Sequence, residues 1–243
     1  MGKLTVAGIG AGSEGQMTLE CRRALEDADV IVGYTVYVDL VRDLLPGKEY
    51  VSTPMMREVE RCKAALELAA GEKNVCMVCS GDAGVYGMAS LVLELAGGYP
   101  VVEVEVLPGV TAACAGAALL GAPISHDFAV ISLSDLLTPW ELIERRLRAA
   151  AMGDFAVCLY NPSSRRRADY LQKACDILME ERSGETACGV ARNIGRAGES
   201  GDIMTLAELR NTAVDMFSTV FIGSSQTRII DGKLVTPRGY RGV

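Results

Sequence analysis

The chain has 243 residues, 49% of them hydrophobic, and sets 24 basic against 31 acidic side chains for a net charge of −7. That length allows one large domain or two of ordinary size with a substantial core. The acidity argues against a nucleic-acid surface, where one face is usually strongly basic, and no apolar run approaches the roughly 18 residues that a membrane span needs. Lys3 and a strand-like Leu4 to Ile9 stand where a secretory signal would show a charged region, an apolar run and a cleavage site, so the expected compartment is the cytoplasm.

In chain order, Leu4 to Ile9 reads as a strand that ends in Gly8, Gly10, Gly12 and Gly15, and Thr18 supplies an N-cap for a helix Leu19 to Ala28. A strand Asp29 to Gly33 follows, then a helix Val36 to Leu45 closed by Pro46-Gly47, and an amphipathic helix Arg57 to Ala70 that stops at Gly71. The apolar run Val75 to Cys79 breaks at Ser80-Gly81-Asp82-Ala83-Gly84-Val85-Tyr86-Gly87 and restarts as a helix Met88 to Leu95, which is where an open α/β sheet places its ligand. Val101 to Leu107 makes another strand, closed by Pro108-Gly109. The helix Thr111 to Leu120 is nearly all Ala, Gly, Cys and Leu, so its backbone can approach neighbours on every side. It is the expected junction between a domain 1–115 and a domain 116–243.

The second half reads as strand Phe128 to Leu133, helix Trp140 to Met152, strand Phe155 to Tyr160, helix Arg166 to Arg182 and strand Thr186 to Ala191. It closes with strand Asp202 to Thr205, helix Leu206 to Arg210, strand Thr219 to Ile222 and a hairpin Arg228 to Val235 turning at Asp231-Gly232. Strands alternate with helices throughout, so the fold class is α/β with two lobes.

Gly10-Ala11-Gly12-Ser13-Glu14-Gly15 fits the dinucleotide fingerprint between strand and helix, but the second strand ends Val32-Gly33-Tyr34 without the acid that would hold a ribose. A glycine-rich connecting turn is the better reading of that loop. Cys76 and Cys79 form a lone C-x-x-C, and residues three apart in a strand point to opposite faces, so the two thiols cannot readily share a metal. The eight cysteines read as reduced core residues. His126 is the only histidine, which removes multi-histidine metal sites and leaves one imidazole for acid–base work. Arg165, Arg166 and Arg167, placed in a first helical turn against the macrodipole, suit carboxylates or phosphate. Ser132-Leu133-Ser134-Asp135 and Arg192-Asn193-Ile194-Gly195-Arg196 each follow a strand at the carboxyl edge where sites gather.

Several of these motifs, in order, resemble the tetrapyrrole methylase family. They are Gly8-Ile9-Gly10-Ala11-Gly12 with Thr18, Ser80-Gly81-Asp82 with Val85 and Gly87, Pro108-Gly109-Val110-Thr111-Ala112, Tyr160-Asn161-Pro162, and Ile222-Gly223-Ser224-Ser225-Gln226-Thr227-Arg228. His126-Asp127-Phe128, the run Ile131 to Trp140, and Ala191 to Arg196 look like the branch that methylates carbon 17 of precorrin-3B or cobalt-factor III. The family often has proline where Ala11 and Ala83 stand and asparagine where Ser224 stands.

The resemblance implies two α/β domains with S-adenosylmethionine folded in the cleft between them, a homodimer, and methyl transfer coupled to ring contraction with extrusion of the carbon-20 bridge. Its implied cofactor contacts are Gly10, Ala11, Ser80, Gly81, Asp82, Val85, Thr111 and Ala112, completed by Asn161, Arg192, Asn193 and Ile194. An activated methyl asks the protein mainly for alignment, which suits a chain without a triad or metal cluster. The ring step needs a moved proton and stabilised oxygen charge, for which His126, Asp127, Ser132, Ser134 and Asp135 are the candidates. Arg165, Arg166, Arg167 and Arg196 are the expected partners of the macrocycle's carboxylates. A sister methylase acting on another ring carbon, a nucleotide-dependent oxidoreductase and a non-catalytic tetrapyrrole carrier remain as alternatives.

Overall fold

The computed structural model describes residues 2–164 and 166–241. The chain divides into two compact units, one up to Ala112 and one from Ala113 on; the expected division after residue 115 falls a few residues further along, inside the same helix.

The first unit runs β1 (Gly2–Gly8), α1 (Leu19–Asp27), β2 (Val30–Tyr34), α2 (Thr35–Arg42), β3 (Glu49–Thr53), α3 (Glu58–Ala70), β4 (Asn74–Cys79), α4 (Ala89–Ala96) and β5 (Val102–Leu107). Thr18 caps α1 as expected, its hydroxyl accepting from the Cys21 N–H at 3.1 Å. All five strands are parallel, in the order β3-β2-β4-β1-β5. The central strands are unbroken apolar runs because helices cover both faces. On one face α1 and α2 pack Cys21, Leu25, Val38 and Val41 against Ala7, Ile31, Cys76 and Val78. On the other, α3 and α4 pack Cys62, Leu66, Ala89 and Val92 against Leu4, Val32, Met77 and Cys79. Cys76 and Cys79 therefore lie in different layers, as strand geometry requires. The chain leaves β1 toward one face and leaves its neighbour β4 toward the other, so a topological switch point lies between their carboxyl ends. Strand β3 was not anticipated: it is an edge strand whose residues are half-buried or exposed, and it lacks the continuous apolar run of the inner strands.

The second unit holds most of α5 (Ala112–Leu120), then β6 (Gly121–Ala122), β7 (Phe128–Ser132), α6 (Trp140–Met152), β8 (Ala156–Tyr160), α7 (Tyr170–Leu178), β9 (Ala187–Arg192), β10 (Ser200–Thr205), α8 (Leu206–Leu209), β11 (Ser218–Ile222), β12 (Arg228–Ile230) and β13 (Lys233–Val235). Its main sheet has the order β10-β9-β11-β8-β7. Strands β7 and β8 are parallel, while β11 runs antiparallel to both β8 and β9, so β7, β8 and β9 end at one edge. Helices α6, α7 and α8 cover one face with Ile143, Leu147, Leu171, Leu178, Leu206 and Leu209.

Helix α5 lies on the opposite face. A Cβ on Gly116 would sit 2.9 Å from Ile194 Cδ1 and 3.0 Å from the Phe221 ring, which accounts for the small residues on that side. The side bearing Cys114 and Ala118 is exposed, so close neighbours occur on one side of the helix rather than on all. Helix α7 begins at Tyr170, not at residue 166, and ends at Leu178. Among the arginines expected in its first turn, Arg166 and Arg167 instead precede it, and Arg165 lies outside the described residues.

Candidate active site

The glycines of the first unit make its candidate site from backbone. At the switch point Ile9 N–H donates to Cys79 O at 2.9 Å, Gly10 N–H to Gly81 O at 3.1 Å, and Gly81 N–H back to Gly10 O at 2.7 Å. This isolated bridge joins the loop after β1 to the loop after β4. The loop after β5 closes on both: a Cβ on Gly109 would lie 2.1 Å from Gly81 O and 2.6 Å from Gly8 C and O, separations that real Cβ atoms do not reach. Three strand ends thus meet where a Cβ on Gly8 or Gly109 would not fit, which accounts for those two glycines. Gly81, at φ +68°, also lies against Thr111 and Ala112, whose Cα and N would be 3.5 and 3.6 Å from a Cβ.

Asp82 ties the same loops together. Its Oδ1 accepts the Gly84 N–H at 2.8 Å and its Oδ2 accepts the Gly109 N–H at 2.9 Å. A carboxylate accepting backbone N–H groups makes the stronger, charge-assisted kind of hydrogen bond, so Asp82 orders its own loop and holds the β5 exit beside it. Ala11 is buried at 6% exposure, and Ser80, Val85, Thr111 and Ala112 are half-buried around the bridge. Gly10, Ala11, Ser80, Gly81, Asp82, Val85, Thr111 and Ala112 are therefore brought together at one sheet edge.

The second unit builds its carboxyl edge from side chains. Ser132 Oγ, at the end of β7, accepts from Asn161 Nδ2 at 3.0 Å and from Ser134 N–H at 3.2 Å. Asn161 follows β8 in the left-handed region, at φ +52°. Arg167 crosses between the two loops, donating from Nε to Ser164 Oγ at 3.0 Å and from Nη1 to Ser134 Oγ at 2.5 Å, with Asp135 Oδ1 at 3.6 Å. Asp135 Oδ2 accepts the Tyr170 hydroxyl at 2.7 Å, and that bond to the carboxylate holds the phenol above its ordinary value. Tyr160 accepts the Ala113 N–H at 2.8 Å and so satisfies an otherwise orphaned donor of the first turn of α5. Neither Tyr160, quoted only within the Tyr160-Asn161-Pro162 motif, nor Tyr170 was among the site residues expected from the sequence.

Asn193 and Ile194 follow β9 at the same edge. The Arg192 guanidinium is held by Asp202 and by Ala213 O, and Arg196 stacks over the Phe217 ring at 5.3 Å. Arg167 is 15% exposed and committed to its hydroxyls and carboxylate, whereas Arg166 is exposed.

The five residues considered for acid–base work do not form one cluster within this unit. Asp127 precedes β7 and Ser132 ends it, so roughly 16 Å of strand separates them at about 3.3 Å per residue. His126 lies with Asp127 at the amino end, exposed, with Nδ1 accepting the Asp127 N–H at 2.8 Å. Ser132, Ser134 and Asp135 stay together at the carboxyl end. Two open surface cavities, of about 560 and 750 Å³, lie on α3 and at the amino edge of the second sheet, and none of the candidate residues lines either.

The described residues include no group of three or more His, Cys, Asp or Glu placed to hold a metal, and no described helix is long and apolar enough to cross a membrane. All eight cysteines are free, seven of them buried.

A family model described as Tetrapyrrole (Corrin/Porphyrin) Methylases matches residues 3–210. The chain is 49% identical over 238 residues to a probable cobalt-factor III C(17)-methyltransferase of Salmonella typhimurium, covering 98% of this chain and 99% of that protein. It is 42% identical over 250 residues to a precorrin-3B C(17)-methyltransferase of a Sinorhizobium species, covering 99% and 98%. The crystal structure of the methyltransferase CobJ superposes with a TM-score of 0.90 at 38% identity, covering 98% of this chain and all of that one. With its parallel first sheet, mixed second sheet and glycine-bridged switch point, the chain belongs to the tetrapyrrole (corrin/porphyrin) methylase family.

Proposed function

We propose that the protein transfers a methyl group from S-adenosylmethionine to carbon 17 of cobalt-factor III or precorrin-3B, coupled to ring contraction, in cobalamin biosynthesis. The near full-length identity to the C(17)-methyltransferases supports the reaction. The observation that carries the cofactor reading is the Gly8–Gly81–Gly109 contact with its Gly10–Gly81 bridge. It brings three loops together at a switch point with no side chain between them, so that a nucleoside and its amino-acid tail could approach the backbone closely. Gly10, Ala11, Ser80, Gly81, Asp82, Val85, Thr111 and Ala112 would hold the cofactor there, with Asn161, Arg192, Asn193 and Ile194 contributing as the resemblance implies.

When bound, the sulfonium supplies an activated methyl, so the protein's share is orientation and exclusion of water. For the ring step, Ser132, Ser134 and Asp135 are the group that the second sheet holds ready, with Asn161, Arg167 and Tyr170 fixing their rotamers; His126 and Asp127 stand apart from it. Arg166 offers an exposed cation to the macrocycle's carboxylates. The reading includes a cytoplasmic homodimer.

Calorimetry with S-adenosylhomocysteine and with NADH tests the cofactor: the first binds and the second does not. Turnover of cobalt-factor III and of precorrin-3B, followed by mass for one added methyl and by absorbance for loss of the bridge carbon, decides the substrate. Absence of S-adenosylhomocysteine binding would sink the proposal.

A further inference from the structure

Arg61, on α3, is a buried cation without an anion. It is 4% exposed, and among the described residues no carboxylate lies within ion-pair distance of it. The neighbouring acids on its helix are engaged elsewhere: Glu60 pairs with Arg57, and Glu58 accepts the Met56 N–H. The guanidinium instead donates from Nε to Thr53 Oγ1 at 2.8 Å and from Nη2 to Pro54 O at 3.0 Å. Nη1 meets only the Met88 thioether, at 3.7 Å, and the Tyr34 ring lies below at 5.9 Å. Three of the five N–H groups of an arginine are thus used, one of them on a weak sulfur acceptor. The Cys62 and Cys79 thiols, which feel the arginine charge, are both pushed up to about 11 by burial, so they stay neutral and leave that charge uncompensated.

The position of this charge gives it a use. Tyr34 ends β2, Thr53 ends β3, and Met88 closes the Ser80–Gly87 loop that carries Asp82, so Arg61 sits at the carboxyl edge of the first sheet. A buried ion lacking a partner is costly, and a ligand carboxylate arriving at that edge removes the cost. Met88 is unbranched and half-buried, a side chain that changes rotamer readily, and its withdrawal would free Nη1.

We propose that Arg61 is a specificity residue that receives a ligand carboxylate at the β2–β3 side of the carboxyl edge. The carboxylate comes either from the amino-acid tail of the cofactor or from an acetate or propionate of the macrocycle. The inference rests on the methyltransferase reading above, which wild-type binding of S-adenosylhomocysteine tests separately.

The experiment compares wild type, Arg61→Met and Arg61→Lys by S-adenosylhomocysteine calorimetry at two salt concentrations and by steady-state KM for the tetrapyrrole. A Kd raised about tenfold or more in Arg61→Met, with Arg61→Lys between, assigns the cofactor carboxylate, and the salt dependence of Kd seen in wild type then flattens in Arg61→Met. An unchanged Kd with a tetrapyrrole KM raised about tenfold assigns the macrocycle. A merely structural arginine lowers Tm and the active fraction while both constants stay as in wild type, and that result overturns the proposal. Should Arg61→Met fail to fold, Arg61→Lys decides: several-fold weaker binding supports the role, and unchanged constants at both ligands reject it.

Discussion

The two carboxyl edges solve the same task with different materials. In the first unit, the end of β1 and the loops after β4 and β5 meet at Gly8, Gly81 and Gly109, where a Cβ on Gly8 or Gly109 would strike backbone and the loops are joined through their own N–H and C=O groups. In the second, β7 ends in Ser132 and Asn161 follows β8, and the edge is a net of side chains through Arg167, Ser134, Asp135 and Tyr170. A backbone surface stays the same whatever side chains change around it, so it suits a ligand shared across a family. A side-chain net is altered by single substitutions, so it suits the chemistry that differs from one member to the next. This contrast fits the proposed function, with cofactor binding at the first edge and substrate chemistry at the second.

The largest test attacks the glycine contact. Gly109→Ala would place a methyl 2.1 Å from Gly81 O, and overpacking against backbone that cannot yield costs about 1–3 kcal/mol or more. The expected result is a Tm lowered by several degrees and no calorimetric signal with S-adenosylhomocysteine; wild-type binding would show that the three strand ends need not meet. Asp82→Ala comes next. It removes two charge-assisted bonds to Gly84 and Gly109, each worth about 1.5–3 kcal/mol, and should weaken S-adenosylhomocysteine binding at least tenfold. Retained affinity would return that loop to a structural role.

On the second edge the neighbouring arginines separate positioning from contact. Arg167→Met frees Ser134 and Asp135 and should lower kcat about tenfold with the S-adenosylhomocysteine Kd unchanged, whereas Arg166→Ala should raise the tetrapyrrole KM more than it moves that Kd. Equal shifts in Kd from either variant would erase the distinction between the two edges.

The smallest effect concerns the thiols shared by both cores. Burial pushes Cys62 and Cys79 up to about 11 and Cys21, Cys175 and Cys188 up to about 12. Since the folded state favours the protonated thiol, this stability is complete below the unfolded value of about 8.5 and is lost as pH climbs toward 11 and 12. Thermal melts should be level through neutrality and fall above about pH 9. A thiol titration of the native protein should count Cys114 alone, with the other seven appearing on unfolding.

What the sequence determined by itself was the set of parts with strong local causes. Helix Trp140–Met152 matches its expected bounds, Thr18 caps α1, and the strands buried on both faces, such as Asn74–Cys79, were legible as apolar runs. The ordered glycine motifs were legible too, because such loops tolerate few other residues. Strand Glu49–Thr53 was not, since an edge strand has no periodic apolar signal, and Arg166 and Arg167 were misplaced into a helix that starts only at Tyr170.

The tertiary structure alone decided which residues each motif touches. Ser224 and Thr227 looked as characteristic as Ser80-Gly81-Asp82, yet Thr227 Oγ1 bonds Thr236 Oγ1 at 2.7 Å and Thr236 bonds Pro123 O at 2.5 Å, a chain of hydroxyls that pins the β12–β13 hairpin. His126 and Asp127 stand a strand's length from Ser132, and Arg61 owes its isolation to Thr53, Pro54 and Met88 folding over it. Strand direction and long-range contact set these placements, and neither is written in the residues beside each motif.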